Sequence, residues 1–118
     1  MLEKEFNITN FVLTIRVIGK ADIEEIVQII KDEYPRAKGG VIWDFTQGDI
    51  SNLDADKFRR IAKTVTEVSI HKKTAYVGGN ALQFGMARMY ENYAELENVA
   101  PKMRVCRNME QAIEWVTT

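Results

Sequence analysis

A glycine pair after an apolar run, in TAYVGGNALQFG (residues 74–85), is the first stretch whose residue types could do chemistry. A glycine turn that opens a helix can cradle a phosphate, because its backbone N–H groups point into the turn and the helix dipole favours negative charge. The spacing here is neither G-x-x-x-x-G-K-[ST] nor G-x-G-x-x-G, and no lysine follows before Lys102. A tight turn off a buried strand accounts for Gly78 and Gly79 more simply, since glycine accepts positive φ, and Asn80 then caps the next helix. The other polar candidates are Thr46, Asp49 and Ser51, which follow the apolar run VIWDF (41–45). Ser51 and Asp54 form an S-x-x-D pattern, expected to cap a helix. His71 stands in a charged HKK connector with no serine or cysteine beside it, and reads as a surface residue. Cys106 falls mid-strand, the usual place of a small buried hydrophobe. No catalytic residue, metal ligand set or cofactor motif is expected.

The elements that position these residues follow from hydrophobic periodicity. Strands are expected at 2–8 and 11–17, joined by a turn at NITN. In the second, Phe11, Leu13, Ile15 and Val17 alternate with Val12, Thr14 and Arg16. ADIEEIVQIIKDEY (21–34) sets Ile23, Ile26, Val27, Ile30 and Tyr34 on one helical stripe, with Asp22 as cap. VIWDF and TAYV (74–77) read as strands covered on both faces. Between them lies a helix whose core side is Ala55, Phe58, Ala62, Val65 and Ser69, with Ile61 beside it. After Gly78–Asn80, a helix is expected to bury Leu82, Met86, Met89 and Tyr93, with Leu96 close by. Phe84 then falls on the outer side with Arg88, Glu91 and Glu95, and Gly85 suggests a close approach of another element. MRVCR (103–107) is a last strand, and Asn108 caps a last helix facing inward with Met109, Ala112, Ile113 and Val116. Trp43 reads as a packing group, and Trp115 lies off that last stripe.

The order β-β-α-β-α-β-α-β-α predicts an α/β sandwich: a mixed, mostly parallel five-stranded sheet, an antiparallel edge strand and about four helices. A chain of 118 residues fits one domain, 1–118. Acids and bases nearly cancel, 17 against 16, so a nucleic-acid partner is disfavoured. One cysteine excludes an internal disulfide. There is no apolar run long enough to span a bilayer and no signal-peptide pattern, so the cytoplasm is the expected location.

With VIWDFT running into a helix, AYVGGNALQFGMARMYE and the closing MRVCRNMEQAIEWV, this order resembles the SpoIIAA-like family over nearly the whole chain. The resemblance implies a STAS-like fold and, from the family's comparison with SEC14-type domains, the possibility of an apolar or lipid-like ligand. In anti-sigma-factor antagonists a D-S-S-G-like segment carries a phosphorylated serine. Here GDISNLDAD (48–56) leaves Ser51 as the nearest hydroxyl, with Asp49, Asp54 and Asp56 placed to repel a phosphate. The expected function is a non-catalytic protein-interaction module that self-associates as a homodimer. Its contact surface is Thr46, Asp49, Ser51, Gly78, Gly79, Asn80, Phe84 and Arg88. A small apolar ligand between the second and third helices is the alternative, and a phospho-switch at Ser51 a third.

Overall fold

The computed structural model describes residues 1–118 apart from Gly79, Glu97, Val99 and Ala100, and apart from the side chains of Ala81, Leu82, Gln83 and Phe84. Its elements are β1 (Leu2–Asn7), β2 (Val12–Lys20), α1 (Ile23–Glu33), β3 (Gly40–Asp49), α2 (Ala55–Val68), β4 (Lys73–Gly78), α3 (Ala81–Leu96), β5 (Lys102–Cys106) and α4 (Met109–Thr117). The five strands form one sheet in sequence order. β1 pairs antiparallel with β2, and every later pair is parallel.

That order dictates the layers. Each crossover steps one strand in the same direction, so right-handed connections put α1, α2 and α3 on a common face. Leu13, Ile15 and Val17 of β2, Val41, Trp43 and Phe45 of β3, Tyr76 and Val105 point there and form the larger core with Ile26, Ile30, Ile61 and Tyr90. Because side chains alternate, Val12, Ile42, Ala75, Val77 and Cys106 point the other way, where Ala112 and Val116 of α4 cover them. β3 and β4 are thus buried on both faces, as their unbroken apolar runs require.

Local chemistry sets the ends of the elements. Asp22 accepts from the N–H groups of Glu24 and Glu25 at the start of α1, and Asn108 accepts from Gln111 at the start of α4. Asn7 closes the β1–β2 turn by accepting from the N–H groups of Thr9 and Asn10. Phe11 takes a left-handed backbone there (φ 58°) and is left half-exposed, outside the core its alternation predicts. Beside it Gly39 is obligatory, because a Cβ at that position would lie 1.8 Å from the Asn10 carbonyl oxygen.

α3 is rotated from the expected phase. Ala87, Tyr90 and Ala94 are buried, while Met89 and Leu96 are among the most exposed apolar residues of the chain. The helix is apolar on several sides, so its period is weak. The two alanines let it settle close to the sheet, with Met86 and Tyr93 half-covered at the flanks. Gly85 is exposed, and among the described residues no atom lies within 4 Å of where a Cβ would sit, which removes close packing against them as its reason. Ile113 of α4 is likewise exposed, and Ala55 at the start of α2 does not reach the core.

Candidate functional site

The carboxyl ends of β3 and β4 make the rim on which most of the predicted residues lie. Phe45 pairs with Gly78, so the segment after β3's buried stretch and the turn after β4 are neighbours. Residues 46–49, expected as loop, continue β3 and pair with an extension of β2: Ile18 with Gln47, Gly19 with Gly48 and Lys20 with Asp49. Arg16 pairs with Asp44 and Ile18 with Gln47, so β3 carries one extra residue in that interval, a β-bulge. Gly48 is needed in this extension, because a Cβ would meet the Val17 carbonyl oxygen at 2.9 Å.

The bulge organises a buried carboxylate. Asp44 Oδ1 accepts from the Thr46 N–H at 2.9 Å and from Thr46 Oγ1 at 2.6 Å, and Oδ2 lies 3.5 Å from Arg16 Nε. Asp44 is only 5% exposed. A carboxylate buried there must be paired and hydrogen-bonded, and Thr46 and Arg16 do both. An acid inside the apolar run VIWDF is the sequence signal that could have found this cluster.

Beyond it the rim loop is held by its own side chains. Asp49 Oδ1 accepts from the Ser51 N–H at 2.9 Å, and Asn52 Nδ2 donates to the Ala21 carbonyl at 2.7 Å. Asp54 is the true cap of α2, accepting from Lys57 N–H, so Ser51 does not cap that helix but sits exposed in the preceding turn. Gly78 ends β4, and Asn80 is exposed immediately before α3. Thr46, Asp49, Ser51, Gly78 and Asn80 therefore share one edge. Arg88 does not: it lies seven residues along α3 from Ala81, about 10 Å down the helix, in a different groove. Gly79 and the side chains of Leu82 and Phe84, expected in the contact surface or the core, lie outside the described residues.

Beneath the rim, between α2, α3 and the sheet, is a small apolar cavity of about 20 Å³. Trp43, Phe45, Phe58, Tyr76 and Tyr90 line it together with Ile26 and Ile61. Phe58 stacks on Tyr90 at 4.7 Å, Phe45 on Tyr76 at 5.6 Å and Trp43 on Phe45 at 6.0 Å. Burial pushes the Tyr76 and Tyr90 phenols far above their ordinary value, so both stay neutral. The volume is about that of one water, but the walls are apolar, and such a cavity stays dry.

His71 is buried at 5% exposure, contrary to its expected surface position. Its Nε2 is 2.6 Å from Thr74 Oγ1, its ring meets Tyr34 edge-on at 5.0 Å, and Tyr34 Oη accepts from Trp43 Nε1 at 2.8 Å. Burial lowers the His71 pKa to about 4. The imidazole is neutral at pH 7, and its Nδ1 has no hydrogen-bond partner among the described residues. Cys106 is buried as expected, and burial raises its thiol pKa. Among the described residues no group of three or more His, Cys, Asp or Glu side chains could hold a metal, and no helix is long and apolar enough to cross a membrane.

No family model matches the chain, and no curated protein matches it. Solved structures do. An uncharacterized protein of the DUF3478 family with a SpoIIAA-like fold from Shewanella loihica PV-4 superposes with a TM-score of 0.65 at 17% identity, covering 98% of this chain and 92% of that one. The anti-sigma factor antagonist SpoIIAA in its unphosphorylated form gives 0.56 at 16% identity, over 98% and 96% of the two chains. The Bacillus cell fate determinant SpoIIAA in its phosphorylated form gives 0.54 at 18%, over 98% and 99%. Likeness over nearly the full length of each chain, at TM-scores above 0.5, establishes that this chain has the SpoIIAA-like, STAS-type fold.

Proposed function

We propose that residues 1–118 form a single non-catalytic, cytoplasmic interaction domain that works by protein–protein contact along the strand-end rim and self-associates. The observation that carries this reading is the way the rim spends its polar groups. Asp44 is committed to Thr46 and Arg16, Asp49 to the Ser51 N–H, and Asp54 to the start of α2. These bonds hold a surface in shape and leave the exposed Ser51 and the glycines to meet a partner by fit. The anti-sigma factor antagonist SpoIIAA, which shares the fold, supports a role in signalling through a protein partner. On this reading Thr46, Asp49, Ser51, Gly78, Gly79 and Asn80 form the contact surface, and Phe84 adds to it.

Light scattering with size-exclusion chromatography tests it. Wild type at high micromolar concentration is expected at twice the 13.5 kDa protomer mass, and Phe84→Asp at the protomer mass. A wild type that stays at protomer mass removes self-association.

A second reading, an apolar ligand between α2 and α3, draws on the aromatic cavity lying in that place. At about 20 Å³ it admits a ligand only if Phe58 swings off Tyr90. Native mass spectrometry of gently purified protein separates the readings, because a co-purifying ligand favours this one and consistently empty protein counts against it. A phospho-switch has less support: Ser51 is exposed, but Asp49 and Asp54 flank it and Asp54 already occupies the helix cap.

A further inference from the structure

β5 is an edge of the sheet, yet two N–H groups along that edge are taken by side chains. The N–H of Val105 donates to Glu91 Oε2 at 2.8 Å, and that of Arg107 to Gln111 Oε1 at 3.1 Å. Side chains from α3 and α4 thus take the place of a sixth strand, which protects the edge from pairing with other chains. Between those two helices the edge lies at the floor of a groove of about 560 Å³. That size suits a small ligand.

The groove is strongly basic. Arg88 of α3 and Arg104 and Arg107 of the β5 segment line it together with Gln111, Glu114 and Trp115, and the Glu91 carboxylate reaches the Val105 N–H at its floor. Trp115 holds two cations at one end: the Arg104 guanidinium is 5.8 Å and Lys73 Nζ 5.4 Å from its ring centroid. Lys73 also donates to the Trp115 carbonyl at 3.1 Å. An adjoining depression adds Lys72 and Lys102, against Glu91 and Glu95.

Elsewhere the arginines of this protein are paired with carboxylates. Lys4 and Arg36 meet Glu33, Arg16 meets Asp44, Arg59 meets Asp56 and Arg60 meets Glu24. Arg88 and Arg104 meet no carboxylate among the described residues. In a chain whose net charge is −1, such a concentration of guanidinium is not a by-product of bulk composition. Like charges in one groove repel, and an anion shared between them reverses the sign of that energy. A guanidinium presents its donors as a planar fork that matches phosphate oxygens. The forks of Arg88 and Arg104 with the Gln111 amide offer more donors than one carboxylate can accept, whereas a phosphate has the oxygens and the second charge to use them.

We propose that the groove between α3 and α4 binds a phosphate group, as a soluble phosphate compound or a phospholipid headgroup, through Arg88 and Arg104 with Trp115 as its aromatic wall. This groove runs along the β5 edge and meets the strand-end rim only at Arg107, next to Gly78, and the proposal does not rest on the rim's function.

Two probes test the assignment at low ionic strength: inorganic pyrophosphate followed by amide and indole NMR shifts, and co-sedimentation with phosphatidylglycerol or phosphatidylcholine vesicles. Pyrophosphate is expected to give saturable shifts at the amides of 104–107 and at the Trp115 indole, leaving Trp43 still. Arg88→Gln and Arg104→Gln each weaken binding about tenfold, as for a lost charge-assisted pair. Arg59→Gln, on the exposed face of α2, is the control. Pyrophosphate binding lost in the groove variants supports the site with a soluble ligand. Binding confined to phosphatidylglycerol vesicles and lost in those variants supports it with a headgroup. Absence of both, or binding that the groove variants leave as strong as the Arg59→Gln control does, overturns it.

Discussion

Acidification from pH 7 to pH 5 should destabilise this protein through one residue, His71. Its imidazole is buried against Tyr34 and Thr74, and burial holds its pKa near 4 against an ordinary value of 6.5. The unfolded chain therefore takes up a proton as pH falls through about 6.5, while the folded chain resists until about 4. In that window the unfolded state binds more protons, so stability falls as pH falls. The stabilisation is complete above the unfolded value and is lost on the way down to the folded one. Linkage between those two pKa values gives a loss of about 2 kcal/mol between pH 7 and pH 5.

The carboxylates do not obscure this. Burial alone would raise the Glu33 pKa, but hydrogen bonds from Lys4 and Arg36 outweigh it and hold the group below its ordinary range. Glu24 is lowered by its hydrogen bonds with Arg60. Stability from such groups is present above the unfolded carboxylate value and disappears only below it, outside the His71 window. Urea unfolding at pH 7 and pH 5 is the assay, with His71→Gln as the non-titrating comparison. The wild-type midpoint should drop by on the order of 1 M urea across the window, while the variant's barely moves. Whatever His71→Gln costs at pH 7, only the slope carries the test. Parallel pH dependence in the two proteins would refute the assignment.

Two further outcomes follow from individual contacts. Gly85→Ala should raise stability by about 1 kcal/mol, because the position is helical, exposed and free of any atom a Cβ would meet; a lower urea midpoint would mean that the space is needed by a partner or second copy. Glu91→Ala should cost about 1–2 kcal/mol and speed hydrogen exchange at the Val105 amide roughly tenfold or more, with Glu91→Gln restoring most of the protection. Unchanged exchange would show that the carboxylate does not guard the β5 edge.

Much of the architecture is written in short-range pattern. The alternation of Leu13, Ile15 and Val17, the unbroken runs 41–45 and 74–77, and the caps Asp22 and Asn108 each state their structure within a few residues. Element order then limits the sheet to parallel crossovers, which is why the nearness of the segments that follow β3 and β4 is legible in the sequence. The rim cluster at Asp44 was half-legible, an acid in an apolar run with nothing local to name Arg16 as its partner.

The remainder had to wait for packing. α3 has apolar residues on several faces, so its phase was decided by which small side chains, Ala87 and Ala94, could approach the sheet. His71 is buried because Tyr34, thirty-seven positions earlier in the chain, lies across it. The basic groove joins a helix residue, an edge strand and a second helix that no periodicity relates. The sequence by itself determined which segments form strands and helices and how they succeed one another, since those preferences act between residues one to four apart. The rotation of each helix, the protonation of each buried group and the meeting of distant cations were decided only by the tertiary structure, because they depend on desolvation and on shape between surfaces that the chain brings together last.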